Sequence, residues 1–246
     1  MSTPIAQDDA YLIAITTSSG VAHVAATAKD GAVLFEFTIR EYNMQSLTLL
    51  PRLQAELHQH SLAPAQCTAL VADVGPGGFT SLRTACGVVQ GLATAWGVPV
   101  VPVRRFECLA AQAQASRVPL DQGVQCFLDA RLGELYVASL RLGEQGTEWL
   151  SPPALLPIEQ AWRGALGPGA PGLPMVMAEQ VADLLPAPWP PGTWVGQPNA
   201  VALAGLGWQA VRAGKTTSPL NCQPLYVRDK VAQTTAERVA EKNGRV

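Results

Sequence analysis

The sequence predicts an α/β fold in two lobes, and three stretches predict it. Residues 11 to 39 hold three strand-like runs joined by tight turns. Residues 69 to 103 read as strand, glycine loop, helix, strand. Residues 151 to 198 concentrate more than half of the twenty prolines, and an alanine-rich segment follows them. At 246 residues, 48% of them hydrophobic, the chain can bury a substantial core as one large domain or two smaller lobes.

The elements follow in order. Residues 1 to 9 form a loose polar lead. Tyr11 to Thr16 is an apolar strand, and Val21 to Thr27 and Ala32 to Ile39 are two more. Lys29-Asp30-Gly31 between the latter is a hairpin signal, so the chain opens with a three-strand antiparallel meander. Gln45 to His60 reads as a helix with Leu47, Leu50, Leu53 and Leu57 on one face. Pro51 removes one of its internal bonds and is expected to bend or break it. Ala69 to Ala72 is a short buried strand, and Gly75, Pro76, Gly77 and Gly78 form the loop after it. The helix from Thr80 to Trp96 stops at Gly97 and Pro99, and Val98 to Val103 is the next strand.

Phe106 to Ala115 is a second alanine-rich helix. Val124 to Leu128 and Leu135 to Leu142 are strands joined by a charged turn, and residues 143 to 148 are a loop. Short strands and helices are expected through the proline-rich stretch, the helices at Glu159 to Ala165 and Glu179 to Leu185. Ala200 to Ala213 is a long helix with Asn199 as N-cap and Gly214 as its stop. Pro224 to Arg228 is extended, and the charged tail from Ala232 is expected to fray. No tandem sequence repeat is visible. Meander, helix, strand, helix, strand, helix is the order of a ribonuclease-H-like unit. The boundaries read as residues 1–106 plus 199–231 for the first lobe, with the late helix returning to it, 107–198 for a smaller second lobe, and 232–246 for a flexible tail.

Bulk properties exclude several functions. A net charge of −2 gives no general attraction to nucleic acid. Five cysteines, an odd number without a CxxC pair, suit buried reduced thiols in the cytosol. The first residues lack a basic region and apolar core of a signal peptide, and no apolar run spans a membrane, so a soluble cytoplasmic setting is expected. The three histidines, His23, His58 and His60, form no HxxxH or HExxH pattern, and Gly-x-Ser-x-Gly is absent, which removes the motif basis for a metalloprotease or serine hydrolase.

Three features remain for function, and each has a structural alternative. The loop Gly75-Pro76-Gly77-Gly78-Phe79-Thr80 is either a tight turn or a place where backbone N–H groups meet an anion or a partner. It lacks the GK[ST] of a Walker A loop. Thr80 and Ser81 are candidate caps, and Arg83 opposes the helix dipole near the helix start. The stripe Gly87, Gly91 and Ala95 allows a close backbone approach, either by the lobe's own sheet or by a partner's helix. Glycine inside a soluble helix costs ~1 kcal/mol relative to alanine, so two of them need a reason. Asp129, Arg131 and Glu134 make a charged turn, either a salt-bridged connection or a functional site.

The loop GPGGFTSLR, Gly75 to Arg83, resembles the GPGSFTGLR of the TsaB (YeaZ) family, and the likeness runs on through GVVQGLATAWGVPVVPV. It recurs at Asp129 to Tyr136, similar to the family's DARMGEVY, and at Pro224 to Arg228, PLYVR. The resemblance implies a two-lobed actin-like ATPase fold, of the ribonuclease-H-like kind. It also implies a noncatalytic subunit for threonylcarbamoyladenosine modification of tRNA, with no cofactor of its own and ATP or ADP at most at a partner interface. A TsaD-type catalytic subunit and a TsaE-type ATPase are the implied partners, and tRNA is met only through the complex. Homodimers are implied to use a surface overlapping the partner face, which includes the helix of Gly87 and Gly91. Two positions depart from the family: Thr16 stands where its first strand ends in an aspartate, and Gln45 where its helix carries a histidine before LLP. The competing reading is an independent small-molecule kinase or ATPase of the same superfamily, which the glycine loop suggests and Thr16 opposes. A peptidase ranks last.

Overall fold

The computed structural model describes residues 10–17, 20–41, 44–144, 146–167 and 170–228. The polar lead at 1–9 and the tail from 232 lie outside them. The first sheet comprises β1 (Tyr11–Thr16), β2 (Ala22–Ala28), β3 (Val33–Ile39), β4 (Cys67–Asp73) and β5 (Val100–Val103), in the order β3-β2-β1-β4-β5. The first three strands are the antiparallel meander, and β4 and β5 add in parallel. The Asp30 carboxylate accepts from the Ala32 N–H, the side-chain turn that Lys29-Asp30-Gly31 predicts.

Alternate residues of β1 face opposite sides of this sheet, as a pleated strand requires. Ile13 and Ile15 pack with α1 (Gln45–Gln59) and α2 (Phe79–Trp96). Leu12 and Ala14 pack instead with α6 (Ala200–Arg212). Helix α6 comes very close: a Cβ on Gly207 would lie 2.4 Å from Val71 Cγ2. Its Trp208 indole N–H donates to Thr27 Oγ1 at 3.0 Å. Asn199 caps α6 by accepting from the Ala202 N–H, as its sequence position predicts.

The second sheet comprises β6 (Val124–Arg131), β7 (Glu134–Gly143), β8 (Gly146–Pro157), β9 (Met175–Ala178) and β10 (Trp194–Gly196), ordered β10-β9-β6-β7-β8. Its helices are α3 (Arg105–Ala115), α4 (Ile158–Leu166) and the single turn α5 (Glu179–Ala182). This order repeats that of the first sheet: a meander, then two parallel strands. Each half is also followed by one further helix, and the two helices are exchanged. Phe106, Leu109 and Ala113 of α3 pack in the second lobe's core, while α6 packs on the first lobe's sheet. The duplication is one of topology, which is why no repeat shows in the residues. This is the ribonuclease-H-like α/β fold that the element order predicts, of the two-lobed actin-like kind that the resemblance implies.

Three expectations need correction. Helix α1 runs unbroken through Pro51, because Pro51 and Leu47 are both on the exposed side and water can take the freed Leu47 carbonyl. Its buried face is Gln45, Leu49, Leu53 and Leu57, at spacings of four. Leu47 and Leu50 point outward, 67% and 43% exposed. Residues 143–148 are no long loop, since β8 begins at Gly146. That strand carries Pro152 and Pro153 because it lies at the sheet edge, and its pairing to β7 shifts register where they fall.

Candidate functional site

Strand β4 ends at Asp73, just before the glycine loop that lines a cleft of about 590 Å³ between the two lobes. Asp73 is buried; one carboxylate oxygen accepts from Thr16 Oγ1 at 2.7 Å and the other from the Gly75 N–H at 2.8 Å. Gly75 then turns the chain with φ +98°, and a Cβ there would meet Leu82 Cδ1 at 2.7 Å. Its carbonyl accepts from the Arg105 N–H at 2.7 Å. The polar backbone of Gly75 is therefore engaged within the chain at both its N–H and its carbonyl. Gly77, Gly78 and Phe79 line the cleft, whereas Gly75 and Pro76 are buried behind them.

Helix α2 starts at Phe79 with Gly78 as N-cap, and no side chain caps it. Thr80 and Ser81 lie inside the helix rather than at its cap. Ser81 is buried, and its carbonyl accepts from Thr17 Oγ1. Arg83 is exposed. Its guanidinium lies 3.8 Å from the centre of the Phe79 ring, and its Nε donates to the Tyr226 hydroxyl at 3.0 Å. Exposure and the aromatic face explain a cation so near a helix N-terminus.

The small-residue stripe does not pack on the chain's own sheet. Helix α2 buries Ser81, Leu82, Ala85, Cys86, Val89 and Ala93. Gly87, Gly91 and Ala95 are exposed on the opposite face, and a Cβ on either glycine would meet nothing within 4 Å. Gly97 closes the helix in the left-handed region at φ +68°, as its position predicts.

Across the cleft, Asp129, Arg131 and Glu134 form the β6–β7 hairpin turn. Asp129 Oδ1 accepts from the Arg131 N–H at 2.7 Å, and the two side chains pair at 3.3 Å. Glu134 pairs with Arg228 at 2.7 Å. The structure thus brings the glycine loop, the charged turn and the C-terminal segment around one cleft, while Gly87, Gly91 and Ala95 lie outside it.

Sequence reasoning named neither Arg105, Tyr226 nor Arg228 as site residues, and all three line the cleft. Arg105 is buried at the start of α3. Burial works against its charge, while Asp73, Cys108 and Asp129 support it. The signal was available: a cation at a helix start, the reason for singling out Arg83, applies equally to Arg105.

Among the described residues no group of three or more His, Cys, Asp or Glu side chains comes together. Thr16 stands at the end of β1 and is bonded to Asp73, whose carboxylate is enclosed. No helix among the described residues is long and apolar enough to cross a membrane.

A family model described as TsaD: tRNA N6-adenosine threonylcarbamoyltransferase matches residues 26–243. The chain belongs to this family, on its TsaB (YeaZ) branch. It is 27% identical over 234 residues to the tRNA threonylcarbamoyladenosine biosynthesis protein TsaB of Escherichia coli, covering 90% of this chain and 96% of that one. The protein of the same name from Haemophilus influenzae is 29% identical over 195 residues, covering 74% and 79%. YeaZ from Pseudomonas aeruginosa superimposes with a TM-score of 0.73 at 26% identity, covering 88% of this chain and 99% of that structure.

Proposed function

We propose that this chain is a noncatalytic scaffold and activating subunit in threonylcarbamoyladenosine biosynthesis on tRNA. It pairs with a TsaD-type catalytic subunit, with a TsaE-type ATPase joining the complex. The complex transfers the threonylcarbamoyl group to N6 of adenine 37 in tRNAs that decode ANN codons, in the cytoplasm. The observation that carries this reading is the outward stripe of α2. Two helix-interior glycines cost ~1 kcal/mol each relative to alanine, and among the described residues nothing uses the space they leave. A partner helix laid along the stripe gives that space a purpose. A homodimer would use an overlapping face.

In this reading the chemistry belongs to the partner; among the described residues no metal-ligating cluster forms, and threonine ends β1. Any ATP or ADP is held jointly at the interface, and tRNA is met through the complex. The test is reconstitution from purified subunits. Modification of an ANN-decoding tRNA is expected to require the chain, and gel filtration is expected to show it with the TsaD-type subunit. Equal modification without the chain, together with no complex on the column, sinks the proposal. ATP turnover by the chain alone would favour a kinase or ATPase instead.

A further inference from the structure

The segment from Cys222 to Arg228 has anchors in both lobes. On the first lobe, Cys222 is fully buried and its carbonyl accepts from Gln90 Nε2 of α2 at 3.0 Å. The Leu225 N–H donates to the Val74 carbonyl at 2.7 Å. The Tyr226 hydroxyl accepts from Arg83, and its ring lies 5.4 Å from that of Phe79. On the second lobe, Val227 packs against the core of the second sheet. Arg228 Nη2 reaches the Ala130 carbonyl at 2.9 Å, the Arg131 carbonyl at 3.5 Å and Glu134 at 2.7 Å.

We propose that residues 222–228 are a strap that couples the start of α2 to the β6–β7 hairpin, so that a displacement at either end moves the other. Two physical points support it. Tyr226 and Arg228 are two residues apart, and an extended chain spans at most about 3.6 Å per residue, so little slack separates the two anchors. The hairpin is also the element able to yield. Arg131 and Leu132 both hold left-handed backbone, φ +65° and +56°, which side-chain-bearing residues keep only where their surroundings impose it. Leu132 is 86% exposed, so packing does not impose it. The tight β6–β7 hairpin turn does, together with the hydrogen bonds from Arg228 and to Asp129. Releasing Arg228 removes one of those restraints, and moving the α2 start pulls on Arg228 through Tyr226.

The coupling belongs to the chain alone and does not depend on any partner, so its test is separate from that of the proposed function. Amide hydrogen exchange is measured on the full chain. Tyr226→Phe removes one hydroxyl at the α2 end, and exchange at residues 130–134 across the cleft is expected to rise on the order of 5-fold or more. Arg228→Gln acts at the hairpin end, and exchange at residues 79–84 is expected to rise comparably, because coupling between sites is reciprocal. If each variant speeds exchange only in the lobe it touches, the segment is two independent anchors and the proposal is overturned. Should Arg228→Gln unfold the chain, Tyr226→Phe decides alone, since loss of one hydroxyl on a half-exposed ring leaves the core intact.

Discussion

Two helices on opposite faces of the same sheet use glycine in opposite ways. On α6, Gly207 lets the helix settle onto β4, where a Cβ would lie 2.4 Å from Val71 and 3.3 Å from Leu12. On α2, Gly87 and Gly91 are exposed, and a Cβ would meet open space. In the sequence the two look alike, each a small-residue helix with glycine in its interior. The difference is where the missing side chain matters. Gly207 is explained within the chain. Among the described residues nothing explains Gly87 and Gly91, and the proposed partner would supply their reason.

Gly91→Leu separates the two cases most sharply. It should leave the isolated chain as stable as before or more so, because leucine is the better helix former and has room. Association with a TsaD-type subunit should weaken by ~2 kcal/mol or more, the scale of a central interface residue, through a side chain filling the groove. Titration calorimetry reads the affinity and thermal melting reads the stability. Unchanged affinity would place the partner on some other face.

Gly207→Ala should do the reverse. Adding a methyl group against Val71 overpacks a site with no slack, at a cost of roughly 1–3 kcal/mol. For a chain of this size each kcal/mol corresponds to about 2–4 °C in melting temperature. Association should change little, because α6 lies on the far side of the sheet from α2. A stable Gly207→Ala would show that the α6 contact can relax, and would weaken the contrast.

Local signals made most of the fold legible. The turn at Asp30 set the β2–β3 hairpin, Gly97 the end of α2, and Asn199 the start of α6. What stayed hidden was non-local. Arg83 meets Tyr226 across 143 positions, and Arg228 meets Ala130 across 98. No spacing rule reaches that far. The buried face of α1 was misread for a simpler reason. Four leucines suggest the face, yet the buried row starts at polar Gln45, whose amide donates to the Gly20 carbonyl at 2.7 Å. The α2 stripe was visible as a pattern, and only the structure gave its direction.

The packed interior and the outer stripe should also differ in response to pH. No ionisable side chain lies on the stripe between Gly87 and Ala95. Inside, Glu107 is held against the Arg104 N–H and Thr147, and burial raises its pKa in spite of those bonds and the Arg104 charge. The folded chain therefore holds this proton more tightly than the unfolded chain does. The stability Glu107 contributes is fully present below the ordinary glutamate value of about 4.3. It is lost as pH rises through the raised folded value. Glu107→Gln should remove that loss, so the variant gains on the native chain as pH rises through the window. Urea midpoints across that range read the slope, and a constant difference between the two proteins would mean that Glu107 does not titrate differently on folding.

The smallest effect gives the cleanest control. Gly205 of α6, like Gly91, faces open space, yet it lies on the other side of the sheet from α2. Gly87→Ala, Gly91→Ala and Gly205→Ala should each stabilise the isolated chain by ~0.5–1 kcal/mol, since only helix propensity changes. Their effects on association should part company. Alanine at Gly205 should leave affinity for a TsaD-type subunit unchanged, while alanine at Gly91 or Gly87 should lower it modestly, because one methyl group separates two closely packed backbones. Equal indifference at all three positions would mean that the outward glycines of α2 carry no more interface than Gly205 does.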